Sequence, residues 1–122
     1  MIRKIEKPEI DFKFCVKPNF KYYYNEENGE YFLETKYKSK FYFNLKGNIH
    51  RIGKHAIEYS NKEKIWVENG KWNRLDGPAS CFISRKDYFI NDRCYSEKKF
   101  AKETNHLICE NCRKFCKQGC FF

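Results

Sequence analysis

Four of the seven cysteines lie close together near the C-terminus, in the spacing C-x2-C-x3-C-x3-C. These four residues are Cys109, Cys112, Cys116 and Cys120. A Cys-x2-Cys pair can place two thiolates on one metal ion, and tetrahedral zinc takes four such ligands. The cluster is therefore a candidate zinc site, although zinc sites usually separate their ligand pairs by a longer loop.

Two other interpretations of the same cysteines stay open. Steps of three and four residues would place all four thiols on one face of a helix, where they could pack against a sheet. Disulfide pairing is the third interpretation, and it is typical of secreted proteins. The segment Met1–Lys7 lacks the apolar core of a signal peptide, so we expect a cytoplasmic protein with reduced thiols. The other cysteines, expected to be core residues of strands, are Cys15, Cys81 and Cys94.

Two histidines, His50 and His55, lie close to Arg51. Imidazoles beside an arginine could act as acid and base on a phosphodiester. An arginine in a turn could instead pair with a carboxylate or with carbonyl groups, a structural role for which Arg74 and Asp76 are the natural example. The sequence has no serine-nucleophile motif, phosphate-binding loop, carboxylate pair or dinucleotide fingerprint, and we expect a protein that is not an enzyme.

Both arginines belong to an internal repeat that must position them. The equivalent pairs, each 23 residues apart, are Gly47 and Gly70, Arg51 and Arg74, and Ala56 and Ala79. A constant interval of this length is typical of repeat proteins. Asn69-Gly70 favours a tight hairpin turn, and a degraded third copy follows at Asn91-Asp92. Each unit is thus predicted to be a β-hairpin of about 20–25 residues that must stack on its neighbours to bury its apolar face.

The second unit contains Trp66, Asn69-Gly70-Lys71 and Asn73-Arg74-Leu75-Asp76-Gly77-Pro78-Ala79. This string resembles a MORN-type repeat, in the variant that reads W-x-x-N-G-K-x-H-R-x-D-G-P-A. The variant is common in proteins of giant viruses, phages and some bacteria. The resemblance covers about residues 41–95, and the first unit departs from it at Gly53-Lys54-His55, where the variant has Asp-Gly-Pro. It implies a hairpin-based sheet and binding rather than catalysis.

The expected fold is mainly β: an antiparallel meander of stacked β-hairpins with a short helical, cysteine-rich C-terminal tail. Residues 1–95 form the sheet, with repeat units at about 41–68 and 69–95, and residues 96–122 form a cap of the same domain. Aromatic residues make up 19% of the chain, which favours strands. Alternating apolar residues predict N-terminal strands at 9–16, 20–24 and 31–37, and Ser96 is a good helix N-cap.

The net charge of +9 favours anionic partners. Exposed tryptophans could stack on bases while basic side chains hold phosphates; alternatively, Trp66 lies in the core and Trp72 covers a turn. The candidate binding residues are His50, Arg51, Lys64, Trp66, Lys71, Trp72 and Arg74. No stretch approaches the 18 apolar residues of a membrane span.

Three functional hypotheses follow. The first is a non-enzymatic binding protein of viral or phage origin that blocks or scaffolds a protein partner. That partner could be acidic or a nucleic-acid-processing complex, such as a host defence enzyme that targets nucleic acids. The second is direct nucleic-acid binding, and the third is a minor structural protein of a virion. No cofactor is expected apart from the candidate zinc.

Overall fold

The structure is a computed structural model that describes residues 1–82 and 85–104 in full, together with the backbone of 107–108 and 115–116. The strands and the helix are β1 (Ile2–Ile5), β2 (Lys21–Asn25), β3 (Glu30–Glu34), β4 (Lys40–Phe43), β5 (Ile57–Glu58), β6 (Lys64–Ile65), β7 (Val67–Glu68), β8 (Lys71–Trp72), β9 (Ser80–Cys81), β10 (Lys86–Ile90), β11 (Arg93–Tyr95), α1 (Glu97–Thr104), β12 (Leu107–Ile108) and β13 (Phe115–Cys116).

Within the described residues, the main sheet has nine strands in the order β1-β2-β3-β4-β5-β6-β9-β10-β11, and every pair is antiparallel. Strands β7 and β8 form a separate hairpin between β6 and β9. The predicted antiparallel meander of hairpins is confirmed, as is the short helix near the C-terminus. No helix in the described part of the chain is long and apolar enough to cross a membrane.

The hairpin turns follow the predicted chemistry. Asn69 and Gly70 both have positive φ, 49° and 80°, and Asn91 and Asp92 of the third copy have φ of 47° and 68°. Two successive positive φ values are the geometry of the turns that best match the twist of a hairpin. The degraded third copy therefore keeps the turn although it has lost the glycine.

The first two units make the same contacts around their alanines. Ala56 and Ala79 are both fully buried. The carbonyl of Ala56 accepts a hydrogen bond from the Tyr42 N–H at 2.8 Å, and the carbonyl of Ala79 accepts one from the Trp66 N–H at 2.7 Å. The repeat seen in the sequence is thus a repeat of structure.

Two apolar clusters lie along one face of the sheet. Around the first strands, Tyr22, Leu33 and Phe43 are buried together. Around the repeats, the buried cluster consists of Ala56, Ile57, Ile65 and Val67. Phe41 packs against both clusters, so the N-terminal strands and the repeats share a continuous interior.

The strand predicted at 9–16 is wrong, and β1 was not foreseen. Residues 6–20 are irregular and lie over the first apolar cluster, where the Phe12 ring contacts Phe43 at a centroid distance of 5.2 Å. The N–H groups of Ile10 and Phe12 bond to carbonyls two residues back, at 3.0 and 3.1 Å, which is the pattern of tight local turns. The alternating aromatic residues therefore reach the core from a looped backbone.

Two of the three isolated cysteines also differ from expectation. Cys15 and Cys94 are exposed, whereas Cys81 is half-buried. Cys15 is exposed because it belongs to the irregular segment, and Cys94 because it lies in β11, the last strand of the main sheet, which pairs on one side only.

Helix α1 begins as predicted, with the Ser96 Oγ accepting the Lys99 N–H at 3.2 Å. Its Phe100 is fully buried and contacts Tyr88 of β10. The helix ends at Thr104, and β12 pairs with β13, so Cys116 lies in a strand and the single helical face for four thiols is not formed there. Cys109, Cys112 and Cys120 lie outside the described residues, as does the predicted zinc site that depends on them.

Candidate binding surface

Arg51 is anchored within the fold. Its Nε donates to Glu30 Oε2 at 3.0 Å, and its Nη1 donates to the His55 carbonyl at 3.4 Å. The guanidinium lies 3.8 Å from the centre of the Tyr42 ring, and the side chain is only 10% exposed. An arginine bound on its edge and on its face has little freedom left, so it holds the 51–55 loop in one conformation.

Arg74 repeats the arrangement. Its Nε donates to Asp76 Oδ1 at 2.7 Å, its Nη1 donates to the Pro78 carbonyl at 3.1 Å, and its guanidinium lies 3.7 Å from the Trp66 ring. The anticipated pairing of Arg74 with Asp76 is therefore present. We call this arrangement of an arginine on an aromatic ring, a carboxylate and a carbonyl four residues on the arginine clamp.

The two arginine clamps draw their carboxylates from different places. Gly53 stands where the first unit would need the equivalent of Asp76, so that unit has no local acid. Glu30, at the start of β3, supplies the carboxylate instead. The clamp is thus kept although the sequence motif is not, which accounts for the departure of the first unit from the repeat pattern.

His50 connects one unit to the next. Its Nδ1 accepts a hydrogen bond from the Asn69 N–H at 2.9 Å, so the ring proton of the neutral imidazole resides on Nε2. In the second unit, Asn73 takes the same role, because its Oδ1 accepts the Asn91 N–H at 3.1 Å. A side chain that asparagine can replace in this way has a structural function.

His55 lies between an acid and an aromatic ring. Its Nε2 is 3.1 Å from Glu58 Oε1, and its ring packs edge-on against Trp66. Burial lowers the pKa of His55 below its ordinary value of 6.5; Glu58 opposes this change, while Lys64 and Arg51 add to it. The neutral imidazole is therefore the form that the folded protein favours.

A pH-dependent stability follows from the depressed pKa. The unfolded chain takes up the His55 proton at a higher pH than the folded protein, so acid favours unfolding. We expect the free energy of unfolding to fall as the pH is lowered from about 7.5 to about 5, and to fall less in a His55→Gln variant. Urea unfolding at a series of pH values measures this. Parallel curves for the two proteins would contradict the assignment to His55.

The other candidate binding residues divide into packed and free side chains. Trp72 packs against the repeat cluster and contacts Phe89 at a centroid distance of 5.0 Å, and half-buried Trp66 lies beneath Arg74. Lys71 is exposed, and Lys64 is half-buried on β6. Of the seven predicted binding residues, both arginines, both tryptophans and His50 thus have side-chain contacts inside the fold, whereas Lys71 is exposed to solvent.

Apolar side chains missed in the sequence are exposed beside the arginine clamps. Ile52 is 72% exposed and Leu75 is 56% exposed, and each directly follows its clamped arginine. Leu45, 62% exposed, lines a groove of about 550 Å³ together with Ile52, and Leu75 lines a neighbouring groove of about 280 Å³. Arg51 lines both grooves. We call Leu45, Ile52 and Leu75 the turn patch; the recurrence of an aliphatic residue after each repeat arginine could have pointed to it.

The two histidines beside Arg51 make separate contacts. His50 and His55 bond to different groups, the Asn69 N–H and Glu58. Among residues 1–82 and 85–104, no three His, Cys, Asp or Glu side chains gather in a way that could hold a metal ion. Comparison of the chain with protein-family models, with curated proteins and with solved structures finds no match.

Proposed function

We propose that this chain is a non-enzymatic binding protein that docks a protein partner on the turn patch. The observation that carries the proposal is that Ile52 and Leu75 are exposed at equivalent positions of successive units. A single exposed aliphatic residue on a protein surface needs no explanation. Two at the same repeat position, with Leu45 lining the same groove as Ile52, form a periodic apolar surface of the kind that partners cover.

The arginine clamps strengthen the case for docking. Arg51 and Arg74 bond to carbonyls three residues after each exposed aliphatic residue, so the clamp closes the loop that presents it. A partner that binds a preformed loop does not have to order it, and this lowers the entropic cost of association. The clamps should therefore increase the affinity of a partner that contacts Ile52 and Leu75.

The charge and the repeat type suggest the class of partner. A net charge of +9 attracts an acidic surface and increases the rate of encounter with it. The resemblance to MORN-type repeats of viruses and phages supports a viral or phage origin and a cytoplasmic site of action. We therefore propose that the partner is an acidic host protein that acts on nucleic acids, which the chain blocks or scaffolds.

Direct nucleic-acid binding by the predicted tryptophan and arginine set is the weaker alternative. Base stacking needs an open aromatic face, whereas Arg74 lies on Trp66 and Trp72 is packed against the core. The guanidinium groups that would hold phosphates already bond to Glu30 and Asp76. No contact of the described residues favours a virion role.

The turn patch can be tested with a matched control. In the paired variant Ile52→Asp, Leu75→Asp, a captured protein partner should bind at least about tenfold more weakly, because two anchors of the interface are lost. Ile2→Asp is the control, since Ile2 is 55% exposed but lies on β1, away from the repeats. Affinity is measured by calorimetry with the partner identified by crosslinking from host cells.

Two results would contradict the proposal. One is an equal affinity of the paired variant and the Ile2→Asp control for the captured protein. The other is capture that disappears after nuclease treatment, since the bound species would then be nucleic acid. Circular dichroism of both variants checks that they remain folded.

A further inference from the structure

A row of alternating charges crosses the main sheet. Residues directly opposite each other in antiparallel strands share a face and interact, and opposite charges in such pairs are stabilising. The register pairs Lys21 with Glu34, Glu34 with Lys40, Lys40 with Glu58 and Glu58 with Lys64. From β2 to β6, every lysine in the row thus faces carboxylates.

The alternation stops at β9. Cys81 is opposite Lys64 on one side and opposite Lys86 on the other, at the position where the pattern requires an acid. The Cys81 thiol donates to the Pro78 carbonyl at 3.8 Å, so a neutral group stands between the two lysines. Because β6 and β10 flank β9, the two lysine backbones are roughly 10 Å apart, within reach of one ligand between them.

Further cations surround the same position. The Arg74 Nη1 is 4.0 Å from the Cys81 Sγ, and a groove of about 390 Å³ is lined by Lys62, Lys64, Cys81 and Lys86. The three ammonium groups make no ion pair within residues 1–82 and 85–104, while Glu63, which also lines the groove, accepts from Asn61 Nδ2 at 2.6 Å. The three lysines thus outnumber the one carboxylate that lines the groove, and the groove has an excess of positive charge.

We propose that this groove binds a phosphate group, which replaces the missing carboxylate between Lys64 and Lys86. A phosphate oxygen can accept from several ammonium donors at once, and such charge-assisted hydrogen bonds are strong. Phe82 lines the same groove and gives a nucleotide base an apolar surface to lie on. The site is distinct from the turn patch and does not depend on the proposed protein partner.

The proposal can be tested by a substitution that places a negative charge between Lys64 and Lys86. Cys81→Asp places a carboxylate between the two lysines, so the variant should bind inorganic phosphate about tenfold more weakly than the wild type. It should also be more stable than the wild type at low ionic strength. Cys81→Ser is the neutral control of similar size and should bind phosphate like the wild type. Binding is followed by the shift of backbone amide resonances during titration with sodium phosphate, against sodium chloride at matched ionic strength.

A second arm identifies the source of the phosphate. A fluorescent oligothymidylate is titrated with the same three proteins. Weaker binding of both phosphate and oligonucleotide by Cys81→Asp supports the site and assigns it to nucleotides, while weaker binding of inorganic phosphate alone supports it as a free-phosphate site. Equal binding of both probes by the Asp and Ser variants, or no difference between phosphate and chloride for the wild type, overturns the proposal.

Discussion

Replacing Gly47 by alanine is expected to destabilise the protein by about 4 kcal/mol or more, which would leave much of it unfolded at room temperature. A Cβ at this position would lie 1.9 Å from the Asp11 carbonyl oxygen and 2.7 Å from its carbon. Both atoms are backbone, so the clash cannot be relieved by a rotation of a side chain. Gly47 also has φ of 89°, which an alanine adopts only at a cost.

The effect should spread beyond the turn. Lys13 donates its N–H to the Gly47 carbonyl at 2.8 Å, and this contact fastens the irregular segment 6–20 over the first apolar cluster. If Gly47 cannot approach Asp11, the segment has to move away and expose Phe12 and its neighbours. A dye that binds exposed apolar surface should therefore report the change at denaturant concentrations where the wild type is still native.

Gly53→Ala is the matched control for this experiment. Gly53 has a similar φ of 77°, but a Cβ there would meet nothing within 4 Å. The substitution should cost only the backbone strain, about 1 kcal/mol. Urea unfolding of the two variants separates the destabilisation caused by the steric clash with Asp11 from that caused by the backbone strain of a positive φ. Equal losses of stability would show that the contact between Gly47 and Asp11 is not decisive.

Arg51→Ala is expected to cost about 3 kcal/mol, and Arg74→Ala about half as much. Removing Arg51 leaves the carboxylate of Glu30, itself 26% exposed, without its partner, and also removes the cation from the face of Tyr42. Asp76, the partner of Arg74, is 62% exposed and regains water when the arginine is lost. The two equivalent clamps therefore differ because solvent screens the Asp76 carboxylate more strongly than the Glu30 carboxylate.

A charge-preserving variant distinguishes the geometry of the clamp from its charge. Lysine has one charged nitrogen and cannot bond to Glu30, the His55 carbonyl and the Tyr42 face together, so Arg51→Lys should recover only part of the loss. The free energies of unfolding from urea titrations give the comparison. An Arg51→Ala variant that is no less stable than Arg74→Ala would refute the importance of the half-buried Glu30 carboxylate.

The parts of the fold that depend on residues close together in the sequence could be predicted. The Asn69-Gly70 turn follows from the ability of both residues to adopt positive φ, and the pairing of Arg74 with Asp76 spans only two residues. The partner of Arg51 could not be foreseen in this way. Glu30 lies 21 residues earlier in the chain, and the local sequence around Gly53 gives no sign of it.

The N-terminal segment shows a second limit of local patterns. Phe12, Phe14 and Val16 alternate as in a strand. Alternation, however, indicates only that these side chains lie on the same side of the backbone. Whether the backbone between them pairs with a neighbour is decided by long-range contacts, here the bond between Lys13 and Gly47. The turn patch was missed for a related reason, because an aliphatic residue in a sequence is first assigned to the core.

The bonds from His50 to Asn69 and from Asn73 to Asn91 carry a consequence for how such a chain evolves. Each of the two units contains a side-chain acceptor that the turn of the next copy satisfies, so duplication of a whole unit would extend the series of bonds without disturbing its members. Insertion of a fraction of a unit would leave one acceptor and one turn N–H unmatched. Growth by gene duplication is thus restricted to complete steps, until a segment such as α1 covers the last hairpin and terminates the series.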